Sequence, residues 1–491
     1  MGKGWRNIHE LVQAMDPAER GYFKKYVAGF RDKEQSGMIA LFDTLVKMPV
    51  LNEELIYQKF NQQPNQLKSV RTHLSRQLMN SLHAFRGDNN IGKQLRSALD
   101  TIELLHEKGL RNQSLALLQK SLLKAEQHQM HPYQILLLHK WDQLNKGLPE
   151  EKRFFETTAV SDKVLTVLHN MQRKEKIRKA HVKSIYWSNV FMPLRDAFIA
   201  AESRLLLNEL LTVGEEAITD FAERNLLYAA ISNIYLMHDE IENAIVYQES
   251  TIKLMESLDL RAMNKLLSYV AALYNLASLM IQAGKPENVR NILDIIATLA
   301  PKSEYEKKFM HAVICFIKAV LLRFESPTVF NHQAFSKIKD ELGVEMVIPS
   351  LYFDTNFALL VYALQHAEYE KAQDMAFDLL NAPYLHSQVS MQVHVRLLHI
   401  LIHYKLQHAV LLPSLVRQTY RYMRKQNLKY KVEVSILHFF KQLLLQVDKQ
   451  TIERRFLDLH AELKGIAMQT GEGRVLHMYF NYIEWLEKEL N

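Results

Sequence analysis

The sequence predicts an all-α protein whose larger part is a series of helical hairpins. Three observations carry this reading. The 491 residues include only 15 Gly and 12 Pro, about half the usual share of these two residues. Leu, Gln, Lys, Glu and Ala, which lose least on entering a helix, are abundant. From Asp239 onward, one helix break follows another at intervals of 45, 42, 41, 41 and 40 residues. A single core stops growing at about 250–300 residues, so a chain of this length needs several domains or an array of repeats.

Residues 1–90 read as a small basic helical module. Asp16, Pro17 and Glu19 give a helix start, with a side-chain cap, a preset φ and an acid in the first turn. Further helices cover "GMIALFDTLVKM", "NEELIYQKF" and "QLKSVRTHLSRQLMNSLHAF", the last with Leu67, Val70, Leu74, Leu78 and Leu82 on one stripe. The polar stretch "GDNNIGK" at 87–93 marks the boundary. Residues 91–224 are irregular helical repeats, with a break at Gly109, helix starts at Pro132 and Pro149, and the basic helix "QRKEKIRKAHVK" at 172–183. Residues 225–491 hold the regular part, with breaks at Asp239, Gly284, Ser326, Ala367, His408 and Asp448. One break per step of about 41 residues means one two-helix hairpin per step, and hairpins with an unburied apolar face must stack. In "ALQHAEYEKAQDMAFDLL", Ala363, Ala372 and Ala376 fall where helices approach closely, and Tyr369 fills the gap after the turn. The final "GRVLHMYFNYIEWLEKELN" has the apolar stripe and charged tail of a closing cap helix.

These residues resemble the tetratricopeptide-repeat superfamily. The likeness lies in small–turn–aromatic–Ala of "ALQHAEYEKA", Tyr–turn–Ala of "IYLMHDEIENA", and Gly with a closing Pro in "AGKPENVRNILDIIATLAP". It covers roughly 97–130 and 225–470, with a longer step than the family's period of about 34. The whole pattern, basic head included, also resembles cytoplasmic helical-repeat proteins of Bacteroidota that carry no known activity. The superfamily resemblance implies a fold of α-solenoid type. It further implies that Asn233 and Asn275 stand where asparagines of carboxylate-clamping repeats hold a peptide backbone. The clamp's cations do not match, since Ala229, Val313 and Ile317 occupy their positions.

The motifs for chemistry are missing. No phosphate-cradling loop, Gly-x-Ser-x-Gly elbow or Cys-centred pattern appears, and "TGEGR" at 470–474 reads as a turn. His399 and His403 lie one turn apart, but no acid or Cys is near to complete a metal site, so no metal and no cofactor is expected. The lone Cys315 sits in an apolar run and reads as a small core residue. The N-terminus has no apolar core of signal-peptide length, and "AVICFIKAVLL" is far too short to span a membrane. A reducing, cytoplasmic location is expected.

Charge is uneven. Residues 1–96 carry 15 Lys/Arg against 9 Asp/Glu, and residues 379–432 carry eight Lys/Arg with no acid at all. On the helix after Pro413, Leu415, Val416, Thr419, Tyr420 and Met423 form the apolar side. Arg417, Arg421, Arg424 and Lys425 share about a quarter of the circumference, and Lys429 follows. Either acids of neighbouring repeats balance this face, or an anionic partner does. Five histidines here (His386, His394, His399, His403, His408) would add charge as pH falls. Lys68, Arg71 and Arg76 lie off the apolar stripe of their helix, without the turn of a DNA-recognition motif. The expected function is a non-enzymatic protein- or peptide-binding scaffold using the inner face of the array. The alternative is a nucleic-acid or other polyanion binder using 1–96 and 379–432.

Overall fold

The computed structural model describes residues 3–28, 34–60, 66–85, 90–214, 218, 220–257, 265–325, 328–342, 349–381, 389–428, 430–444, 448–468 and 472–490. It is 85% helical without strands among these residues, as expected. No helix among them is long and apolar enough to cross a membrane. Two compact units divide the chain, 1–172 and 173–491.

The first unit contains α1 (Lys3–Ala14), α2 (Pro17–Ala28), α3 (Glu34–Val46), α4 (Glu53–Phe60) and α5 (Gln66–Phe85) around Trp5, Phe23, Phe42, Leu74 and Leu78. The start of α2 is a reciprocal cap. The Glu19 amide donates to Asp16 Oδ1 at 2.8 Å and the Asp16 amide to Glu19 Oε2 at 3.1 Å. A second cluster belongs to α6 (Ile91–Glu107), α7 (Arg111–Gln127), α8 (His131–Leu144) and the first part of α9 (Glu150–Phe191). Residues 87–89 of the expected boundary lie outside the described residues, and Asn90 caps α6.

The sequence divides the chain at 90 and 224, whereas the contacts divide it within α9. The change of buried face along that helix is the reason. Val160, Val164 and Val167 pack with Leu137 and Leu138, while Ile177 and Ala180 pack with Leu207 and Ile231 of the second unit.

The second unit continues with α10 (Ala197–Leu211). Consecutive helix pairs follow: α11 (Phe221–Met237) and α12 (Ile241–Glu256), α13 (Leu266–Gln282) and α14 (Pro286–Thr298), α15 (Glu304–Glu325) and α16 (His332–Leu342). Next come α17 (Pro349–Gln365) and α18 (Tyr369–Asn381), α19 (Val389–Lys405) and α20 (Leu412–Lys425), α21 (Lys431–Leu443) and α22 (Lys449–Ala467). Each first helix packs on its own second helix, and α12, α14, α16, α18 and α20 also touch the next first helix.

The breaks share one geometry. Asp239, Gly284, Ala367 and Gln407 have φ of +63°, +70°, +57° and +58°. At each, the next amide reaches back five residues, as in Glu240 N to Tyr235 O (3.0 Å) and Glu368 N to Ala363 O (3.0 Å). This caps the orphan carbonyls of the preceding helix. Gly109, at +74°, does the same in the first unit. The break expected at His408 falls one residue earlier, that near Ser326 lies outside the described residues, and Asp448 is the N-cap of α22. Ala363, Ala372 and Ala376 are fully buried, and Tyr369 packs against the core.

The chain closes with α23 (Glu472–Met478) and α24 (Tyr482–Leu490). They cover more than the end of the array. Trp485 lies against Phe440 and Phe456 of the last pair, but Tyr479 also meets Phe357 of α17, and Tyr482 meets His394 of α19. Arg474 donates to the Leu236 carbonyl of α11 at 2.6 Å. Packed between α15 and α18, α17 is buried throughout from Thr355 to Leu364.

Candidate functional site

Arg195, in the link from α9 to α10, is the centre of a buried polar network. Its guanidinium donates in bidentate fashion to Glu433 of α21, both distances 2.8 Å, and stacks 3.9 Å over the Tyr430 ring. Only 3% of the Arg195 side chain and 1% of Glu433 are exposed. Glu472 approaches from α23 at 3.5 Å. Burial disfavours the Glu433 carboxylate, yet hydrogen bonds from His394 and Arg195 outweigh it and hold the group at about 2. An ionised Glu433 can only accept. His394 Nε2, 3.1 Å away, must therefore carry its ring proton, leaving Nδ1 to accept from the Tyr482 hydroxyl at 3.2 Å.

A cavity of about 650 Å³ opens beside this network, between the α9–α10 link, the α11–α12 turn and the start of α23. Its charged walls are occupied with each other. Arg474 donates to Leu236 O and Gln282 Oε1, and its Nε lies 3.1 Å from Asp239. Nearby, the buried Ser203 Oγ lies 2.9 Å from His238 Nε2 and 3.1 Å from the Ala200 carbonyl oxygen. Both acceptors compete for the single hydroxyl proton.

The basic face of α20 is the clearest surface feature. Val416, Thr419 and Met423 are buried as expected, whereas Tyr420 is 61% exposed and stands at the edge of the cationic face. Arg417, Arg421, Arg424 and Lys425 are all exposed, and no carboxylate among the described residues pairs with them. Lys429 lies outside the described residues. The contrast with α9 is sharp. There Arg173 pairs with Glu223 at 2.7 Å, Lys174 with Asp220, Arg178 with Glu175 and Lys183 with Glu202. In the first unit Arg71 lies 5.8 Å over the Trp5 ring, and Lys68 and Arg76 are exposed.

Asn233 is half-buried and donates to Ser184 Oγ of α9 at 3.3 Å, while Asn275 is exposed. His399 and His403 touch through their Nε2 atoms at 2.9 Å, and His403 Nδ1 lies 2.8 Å from His408 Nδ1. These are hydrogen-bond distances, shorter than the roughly 3.3 Å between two nitrogens on one tetrahedral zinc. Nor do His394, His399 and His403 gain charge readily as pH falls. Burial first, and cationic neighbours second, lower His399 to about 4, and burial lowers His394 and His403 as well. His386, Thr470 and Gly471 lie outside the described residues.

One acid is displaced the other way. Burial raises Asp354 to about 6, against a 3.0 Å hydrogen bond from the Tyr274 hydroxyl. Its contribution to stability is complete below the ordinary value of 3.8 and is lost as pH rises through 6. Asp354→Asn keeps an acceptor for Tyr274 and removes that loss. The variant should gain roughly 1–3 kcal/mol over wild type at pH 8 and nothing near pH 4. Urea unfolding at both pH values checks this, and an advantage equal at both would contradict it.

The network and the displaced Asp354 had no signal in the sequence, because their partners are far apart along the chain. No protein-family model matches the chain, and no curated protein is significantly similar to it in sequence.

Proposed function

We propose that the chain is a non-enzymatic, cytoplasmic helical-repeat scaffold, an α-solenoid of tetratricopeptide-repeat type, that binds a partner protein through an acidic segment. The carrying observation is the set of four exposed cations on α20 that no carboxylate among the described residues pairs with. Like charges at these spacings repel by a few tenths of a kcal/mol per pair, a cost that an acidic ligand reverses. The closing segment packs against Phe357 of α17 and His394 of α19, and this reading places docking on a second helix, α20. No cofactor enters this reading.

A second reading, nucleic-acid binding, is favoured by Tyr420, whose exposed ring beside the cations could stack on a base. Fluorescence anisotropy with an Asp/Glu-rich peptide and with single-stranded DNA and RNA oligomers separates the two. The control is the variant with Arg417, Arg421, Arg424 and Lys425 all changed to Gln. The first reading expects peptide binding that the variant loses, with weak oligomer binding. The second expects oligomer affinity to fall about 50-fold for a fourfold rise in salt, since four phosphates release their counterions. If neither probe binds, this face is only solvated and both readings fail.

A further inference from the structure

The helix pair α15–α16 carries a group of side chains that the network, the cavity and the basic face do not use. His311 and Cys315 lie one turn apart on α15, on the same side of the helix. Glu341 stands at the far end of α16, which brings it back alongside them. One ligand atom from each of the three lies within 4.8 Å of the others. The closest pair, Cys315 Sγ and His311 Nε2, is 3.6 Å apart. That is about the edge of a tetrahedron built on a zinc–sulfur bond of ~2.3 Å and a zinc–nitrogen bond of ~2.05 Å.

We infer that His311, Cys315 and Glu341 form a binding site for a divalent transition-metal ion of the zinc class, which clips the open end of the α15–α16 hairpin. Thiolate, imidazole and carboxylate together suit borderline-soft Zn²⁺ and disfavour Mg²⁺ and Ca²⁺, which prefer all-oxygen shells. Three protein ligands leave a fourth position for water. Nε2 is the nitrogen facing the sulfur, and a bound metal displaces its 3.2 Å contact with the Glu341 carbonyl oxygen.

Two features set the affinity. Lys318 and Lys337 each place an ammonium 4.0 Å from a Glu341 oxygen, and a bound cation displaces them. Both lysines are 42% exposed or more, so they can turn into water. Burial and the Glu341 charge push the Cys315 thiol up to about 11. The metal must therefore expel the thiol proton, forming a metal–sulfur bond and releasing one proton to solvent, with no change in oxidation state.

Cys315 is the single cysteine of the chain, which makes the test specific. The metal-stripped full-length protein is titrated with Co²⁺, and near-ultraviolet absorption from thiolate-to-cobalt charge transfer is recorded, followed by displacement with Zn²⁺. The expected result is a charge-transfer band that saturates at one ion per chain and is abolished by Cys315→Ala. His311→Ala and Glu341→Gln should each weaken cobalt binding at least tenfold. His311 is exposed, so its variant tests the site without disturbing the core. Unchanged circular dichroism of all three variants serves as the folding control. Absence of the band in wild type overturns the site, as does a band that His311→Ala and Glu341→Gln leave unchanged.

Discussion

Arg195→Met should destabilise the second unit by about 3–5 kcal/mol at pH 7, the cost of leaving a buried charge without its partner. The guanidinium supplies two 2.8 Å donors to Glu433, and both side chains are almost entirely excluded from water. Methionine replaces the packing of the arginine stem but offers Glu433 no donor. His394 remains 3.1 Å away, yet burial keeps it neutral, so it donates one hydrogen bond and no charge. Urea unfolding monitored by far-ultraviolet circular dichroism measures the loss.

The same experiment has a signature that a packing defect lacks. Without Arg195 the Glu433 carboxyl should rise from about 2 toward and beyond its ordinary value of 4.5. In wild type that group contributes stability above 4.5, which is lost as pH falls toward 2. In the variant the folded state should take up a proton near pH 5, so its deficit shrinks on acidification. Adding Glu433→Gln to Arg195→Met should recover part of the loss at pH 7. A deficit below about 1 kcal/mol, or one that is the same at pH 5 and pH 7, would show that the pair is not the clasp described here.

What the sequence made legible was local. Gly109, Asp239, Gly284 and Ala367 read as breaks because each interrupts an apolar period of 3.6, and each adopts positive φ. Ala363, Ala372 and Ala376 read as close-packing positions because small residues recurred on facing helix sides, and all three are buried. The capping pattern at Asp16 was equally plain. The basic face of α20 was visible from spacing alone, but its lack of acidic partners among the described residues was not, since that depends on which helices lie beside it. The opposite outcome on α9, where Glu223, Asp220 and Glu202 pair with the basic residues, shows how little a charge run says by itself.

The rest was hidden by separation. Arg195 and Glu433 are 238 residues apart, and in "MPLRDAF" the arginine looks like any loop cation. Cys315 read as core because its neighbours are apolar, and it is indeed fully buried. Only the folding of α16 against α15 brings Glu341 near it. The closing segment misled in a different way. Its apolar residues are spaced for one stripe on a helix, but α23 and α24 meet at Tyr479–Asn481 and turn a second surface toward α17 and α19.

That second surface leads to the largest expected effect. A chain ending at Met468 should lose the cooperative fold of its second unit. Val475, Leu476, Tyr479, Phe480, Tyr482, Trp485 and Leu486 are each less than 9% exposed. At about 1.5–3 kcal/mol for each buried large side chain, the segment contributes roughly 10–20 kcal/mol before the entropy of ordering it. That matches the whole net stability of an ordinary domain, about 5–15 kcal/mol. The loss is not confined to the segment. Phe357, Phe439, Phe440 and Phe456 would face water, and His394 Nδ1 would lose its bond to the Tyr482 hydroxyl. The helices themselves should persist, because their caps and i-to-i+4 bonds are local. The truncated protein should therefore keep most of its far-ultraviolet signal, lose its near-ultraviolet signal, and bind a hydrophobic dye. Trp485→Ala gives a graded version, with an expected cost of about 3–5 kcal/mol from the cavity left among Phe439, Phe440 and Phe456. A truncated chain that still melts sharply, with its near-ultraviolet spectrum intact, would mean that the segment only rests on the array. The covered first helices would then be free to open into the peptide groove that the repeat pattern implies.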